Sequence, residues 1–207
     1  MKHILLSVGL LLTAISTYGQ ATSTPPPACT LKIASAPVVR GLKLGMKIDD
    51  VLAMFPGRAD KEDLAPVLAQ RTGYPNFGVI NTWVSLYNYP GKDQFRGISS
   101  VGFIFIDDKL VQYYVQYDSL PYAPPWRNVD DFIAKVADAF HLPTAQSWTV
   151  YKTLSSEKAL QCDGFRVRAS NLNQRGSLVV ETSEDADQIK RERLTAFEDK
   201  ARRDFKP

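Results

Sequence analysis

Short runs in which apolar and polar side chains alternate constrain this chain more than any other feature. Residues 79–89 place Trp83, Ser85, Tyr87 and Tyr89 on one face and Ile80, Val84 and Leu86 on the other. Two further runs, 98–106 and 109–117, are parted only by Asp107-Asp108. That gap suits a tight hairpin, although it lacks the glycine a type I′ turn favours. On the 109–117 run, Tyr113 and Tyr117 share a face and Tyr114 lies opposite. Three later runs, 147–153, 160–170 and 176–182, also read as strands. Within the second of them Phe165, Val167 and Ala169 alternate with Arg166, Arg168 and Ser170, the pattern of a strand wetted on one side. Residues 171–176 carry turn chemistry.

A helical pattern precedes each set of strands. Ile48, Val51, Leu52 and Phe55 recur at spacings of three and four, Asp49 and Asp50 occupy the first turn, and Pro56-Gly57 stops the run. Residues 61–71 could form a second helix, with Leu64, Val67 and Leu68 on one side. In the second half Asn128 is an N-cap with Asp131 at the third helical position. Val129, Phe132, Ile133, Val136 and Phe140 keep the period, and His141-Leu142-Pro143 ends it. The expected fold is therefore α+β. It consists of two tandem helix-plus-three-stranded antiparallel units, 29–119 and 128–182, joined by a Pro-rich linker at 120–127. Residues 183–207 form a C-terminal helix. Its stripe of Ile189, Leu194, Phe197, Ala201 and Phe205 either packs on the body or protrudes toward a partner.

The N-terminus sets the expected compartment. Lys2, an apolar run at 4–15, and small residues at Gly19 and Ala21 read as a secretory signal peptide over 1–21. The run is shorter than the ~20 residues that span a bilayer. Residues 22–28 read as an extended Pro-rich linker. The expected address is exported, periplasmic or secreted. In an oxidising compartment Cys29 and Cys162, the only two cysteines, point to one disulfide. Two free thiols or a lipid-modified Cys29 are the alternatives. Pro26-Pro27-Ala28, well past the apolar run, do not form a lipidation signal.

The formal net charge of +3 falls to +2 once Lys2 is removed. That is too little to steer the chain toward nucleic acid, and no clustered basic face is apparent. With His3 in the leader, the mature chain has His141 alone, so a histidine-rich metal site cannot be built. No serine lies in a Gly-x-Ser-x-Gly elbow. Asp49-Asp50, Asp107-Asp108 and Asp130-Asp131 sit at helix starts or a turn, positions that favour Asp for structural reasons. Gly41-x-x-x-Gly45 is not followed by the Gly-Lys-Ser/Thr of a phosphate loop. We therefore expect no cofactor and no metal.

Aromatic residues remain as the lead, because Trp and Tyr combine large contact area with a polar tip. The expected partner-binding residues are Trp83, Tyr87, Tyr113 and Tyr117. The expected function is a monomeric, non-enzymatic exported module that binds a protein or envelope component through a sheet face. The alternatives are an envelope hydrolase that uses His141, and a structural envelope-assembly factor whose contact element is the C-terminal helix.

Gly41-Leu42-Lys43-Leu44-Gly45-Met46, followed by Val51 and Phe55-Pro56-Gly57, resembles the opening of a helix-plus-sheet unit in the β-lactamase-inhibitor-protein-like families. It is also similar to the small outer-membrane-assembly lipoproteins of Gram-negative bacteria. The tandem order extends the resemblance over residues 41–182. Lys47 stands where those families commonly have a Ser or Thr cap. The resemblance implies a non-catalytic exported binding module and names no ligand.

Overall fold

The computed structural model describes residues 28–55, 78–87, 93–118, 126–152, 154–172 and 175–205. The signal peptide read at 1–21, most of the Pro-rich linker, and the helix read at 61–71 lie outside the described residues. The elements, in chain order, are α1 (Ile48–Ala53), β1 (Val79–Ser85), β2 (Ile98–Ile106), β3 (Lys109–Tyr117), α2 (Val129–Phe140), β4 (Thr149–Tyr151), β5 (Leu154–Gln161), β6 (Phe165–Leu172), β7 (Arg175–Thr182) and α3 (Ala186–Asp204).

The fold is α+β with a C-terminal helix, but it is not two three-stranded units. All seven strands belong to one antiparallel sheet in the order β1-β2-β3-β7-β6-β5-β4. The last strands of the two halves, β3 and β7, pair at its centre, with Tyr114 opposite Val179. Closing this pair removes two inner edges that separate units would leave open. The second half also has four strands. The run read at 160–170 is broken by a turn at Cys162-Asp163-Gly164, where Gly164 adopts φ +84° and the Cys162 amide donates to the Phe165 carbonyl at 2.9 Å. β5 and β6 are the two arms of that hairpin.

One face of the sheet carries the main core. α1 contributes Ile48, Val51, Leu52 and α2 contributes Val129, Phe132, Ile133 and Val136 to a single apolar cluster with Val101, Phe103, Val115, Val167, Leu178 and Val180. Phe55, just past α1, stacks on Phe95 at 4.9 Å and meets Phe103 edge-on. Trp126, Phe132 and Tyr117 meet edge to face where α2 begins. α2 starts as its sequence implies, the Asn128 side chain accepting from the Asp131 amide at 2.9 Å.

An N-terminal arm ties the two halves together. The Cys29–Cys162 disulfide fastens it to the β5–β6 turn. The Asp163 amide donates to the Leu31 carbonyl at 3.0 Å, and Lys32 pairs with Asp163. The arm then passes beneath β3, where the Tyr113 hydroxyl donates to the Pro37 carbonyl. It finishes beside the β2–β3 turn, exchanging 2.8 Å bonds between Gly45, Met46 and Leu110. With the two cysteines 133 positions apart in sequence, the chain-entropy model assigns the disulfide about 5 kcal/mol.

α3 lies on the opposite face, over one corner. Ala186 and Ile189 pack with Val79, Ile104, Ile106 and Val111. Asp185 caps the helix by accepting from the Asp187 and Gln188 amides. Arg193 grips Asp107 with two bonds of 2.7 Å. None of the helix's 19 residues is buried, so it neither docks fully nor stands free of the sheet. No helix among the described residues is long and apolar enough to cross a membrane.

Candidate functional site: the second face of the sheet

Away from the α3 corner, the face opposite the core presents side chains in rows that run across the strands. The pairings define these rows, because residues opposite one another in a ladder point the same way. One row runs Trp83, Gly102, Tyr114, Val179, Arg168, Ala159, Thr149. The next runs Ser85, Ser100, Gln116, Ser177, Ser170, Glu157. Neighbours in these rows are about 4.8 Å apart, so the second row forms a polar band about 24 Å long.

Trp83 heads the first row and is 57% exposed. Its neighbour Gly102 has no side chain. A Cβ placed there would lie 3.6 Å from the indole Cδ1 and 3.7 Å from the Tyr114 Cβ. The indole therefore leans over Gly102, toward the base of the Tyr114 side chain. The Tyr114 hydroxyl and Ser177 Oγ are 3.2 Å apart, and Ser100 Oγ donates to Gln116 Oε1 at the same distance.

The far end of the face is charged but internally paired. Glu181, nearly fully buried, accepts from the Nε of both Arg166 and Arg168. Arg168 also donates to Glu157 at 2.7 Å. The Arg168 guanidinium lies 4.8 Å from the centre of the Tyr151 ring, and that of Arg166 lies 5.4 Å away. Two cations and two carboxylates thus offset one another under an aromatic lid. Ser100, Val179 and Ala159 are covered by their neighbours, so the face offers the exposed Trp83, the partly exposed hydroxyl and amide groups of Tyr114, Gln116, Ser170 and Ser177, and a neutralised ionic ladder, which suits contact with a partner surface.

The four aromatic residues expected to bind a partner do not stay together. Trp83 is on this face, and Tyr87, 84% exposed, follows the end of β1. Tyr113 is a correction: it is fully buried, on the core side of β3, with its hydroxyl committed to the Pro37 carbonyl. Burial raises its phenol far above the usual range, and the neighbouring Tyr117 adds to the effect. Tyr117 also points to the core side, against Trp126 and Phe132. Burial pushes its phenol up to about 12, with the Arg40 cation pulling the other way. These two tyrosines hold the core together and do not line the candidate surface. Tyr114, set opposite them in the sequence reading, is the tyrosine that does.

The remaining candidates sit in structural positions. His141 is exposed and closes α2 in a left-handed conformation at φ +53°. Asp49 and Asp130-Asp131 lie in first helical turns. Arg127 donates two side-chain bonds to Asp131, which holds that carboxyl below its usual value. Asp107 and Asp108 form the β2–β3 turn with φ of +48° and +70°. The side-chain bond from Arg193 lowers the Asp107 pKa. Among the described residues no group of three or more His, Cys, Asp and Glu could hold a metal ion.

Comparison with protein-family models, with curated proteins and with solved structures finds no match to this chain. The rows above therefore rest on this chain's own residues. The sequence reading missed Gly102, Gln116 and Glu181. Gly102 breaks an otherwise apolar run, and that interruption was the signal for a close approach within the strand. Glu181 follows Val179-Val180 and carries no periodic signal, because β7 is buried on both faces around it.

Proposed function

We propose that this chain is an exported binding module that takes a protein or envelope partner on the second face of its sheet. The exposed Trp83 lying over Gly102, at the head of a polar band on a continuous sheet, is the observation that carries the reading. An exposed tryptophan backed by hydrogen-bonding side chains is the composition of an interface hot spot. The paired Arg166, Arg168, Glu157 and Glu181 leave little net charge, so the partner is selected by shape and hydrogen bonding more than by long-range attraction. The disulfide fits an oxidising compartment, and the resemblance noted for residues 41–57 points the same way. In this reading the protein needs no cofactor.

A photo-reactive residue introduced at Ser170, on this face, tests the proposal in the cells that make the protein, with Lys135 on the outer side of α2 as the control position. The expected result is a discrete adduct from Ser170 and none from Lys135. Trp83→Ala should weaken capture about 30-fold, the effect of losing a hot spot worth about 2 kcal/mol. An adduct from Lys135 alone, or capture unchanged by Trp83→Ala, would sink the proposal.

A further inference from the structure

The two edges of the sheet are built differently. β4 is three residues long and its register slips between Val150 and Tyr151. Short, irregular edges of this kind resist pairing with other chains. β1 has none of these safeguards. It spans seven residues, Val-Ile-Asn-Thr-Trp-Val-Ser, with no charge, no proline and no register shift against β2.

The bonds at both ends of β1 show which of its groups face outward. The Gly78 carbonyl accepts from the Asp107 amide at 2.9 Å, and the Leu86 amide donates to the Ser99 carbonyl at 2.8 Å. Antiparallel ladders alternate, so the even-numbered positions between them turn their N–H and C=O groups toward β2. Val79, Asn81, Trp83 and Ser85 turn theirs away from the sheet. Among the described residues nothing pairs with that outer edge.

We propose that β1 pairs antiparallel with β1 of a second copy of this chain, about a two-fold axis at Thr82. This register matches every outward-facing residue with another. Val79 meets the second copy's Ser85, and Asn81 meets its Trp83, each pair exchanging two main-chain bonds. Ile80 lies beside the second copy's Val84 on the core side. Each Trp83 lies beside the other copy's Asn81 on the second face. Thr82 faces itself in a close, non-hydrogen-bonded pair, a favourable cross-strand match. No charge meets a like charge along the seam, because the strand carries none. The axis is perpendicular to the sheet, so the two second faces join into one surface. The sequence reading expects a monomer; the uncharged, regular edge of β1, unpaired among the described residues, argues for a dimer.

Sedimentation of the purified disulfide-bonded protein over a wide concentration range tests this. The expected result is a weight-average mass that doubles as concentration rises. Asn81→Pro removes one outward donor and leaves the ladder to β2 intact, and should hold the protein monomeric. Thr82→Cys supplies an independent measure, since the facing Cα atoms would be about 4.5 Å apart, within disulfide range. Oxidation should link Thr82→Cys chains in pairs, while the exposed control Val38→Cys should not link. A wild-type protein that stays monomeric at every concentration, or Thr82→Cys linking no more than Val38→Cys, overturns the proposal. Adduct formation at Ser170 reads the second face separately, so failure of one idea is distinguishable from failure of the other.

Discussion

Tyr113 illustrates how one residue's role turns on a distant partner. Period-two alternation separates Tyr113 and Tyr117 from Tyr114, and the structure keeps that separation. What alternation does not reveal is which side is core. A buried phenol needs an acceptor, and here it is the Pro37 carbonyl, 76 positions away on an arm with little regular structure. The same burial makes the pair pH-sensitive. Both phenols have folded pKa values above the ordinary value near 10. Below about pH 10 they are protonated in both states and their contribution to stability is constant. As pH rises further the unfolded chain releases protons that the fold retains, so stability falls. The expected outcome is an alkaline transition in which the phenolate absorbance of Tyr113 and Tyr117 appears together with loss of the circular dichroism signal. Tyr113→Phe should lower stability at neutral pH by about 1–2 kcal/mol, the cost of leaving the Pro37 carbonyl without its donor. Smooth ionisation of both phenols with the fold intact would contradict the assigned burial.

At the scale of elements, local signals were legible and non-local ones were not. α2 was readable from Asn128, Asp131 and its apolar period, because capping and amphipathicity are contained within the element. β1 was readable from Ile80 and Val84 alternating with Trp83. The β5–β6 hairpin was not, since Leu160 and Phe165 look like one apolar run until Gly164 turns the chain. Nothing in the sequence announced that β3 and β7 would pair, because each strand is compatible with an edge or a centre. The seat of α2 on β7 has a direct test. A Cβ at Gly176 would sit 2.5 Å from the Phe132 ring, whereas one at Gly102 meets nothing closer than 3.6 Å. Gly176→Ala should therefore destabilise by about 2 kcal/mol through overpacking. Gly102→Ala should be neutral or stabilise by about 0.5 kcal/mol, since glycine is unfavourable within a strand. Denaturant midpoints for the two variants check this, and equal effects would mean that Phe132 does not cover Gly176.

For the whole molecule, the decisive feature is continuity across β3 and β7. The two halves follow a similar order, a helix and then antiparallel strands, and each places its last strand at the centre. The arm held by Cys29–Cys162 then runs from one half to the other on the core side. The candidate surface exists only because of this join, since Trp83 and Arg168 belong to different halves and share a row only through Tyr114 and Val179. Native-state amide hydrogen exchange tests the join most directly. The amides of β3 and β7 should exchange slowest among the strands and with one common opening free energy, while those of β4, at the short irregular edge, exchange fastest. Fast exchange at β3 and β7, or two unrelated opening energies for the two halves, would contradict a single sheet and remove the surface on which the proposed function depends.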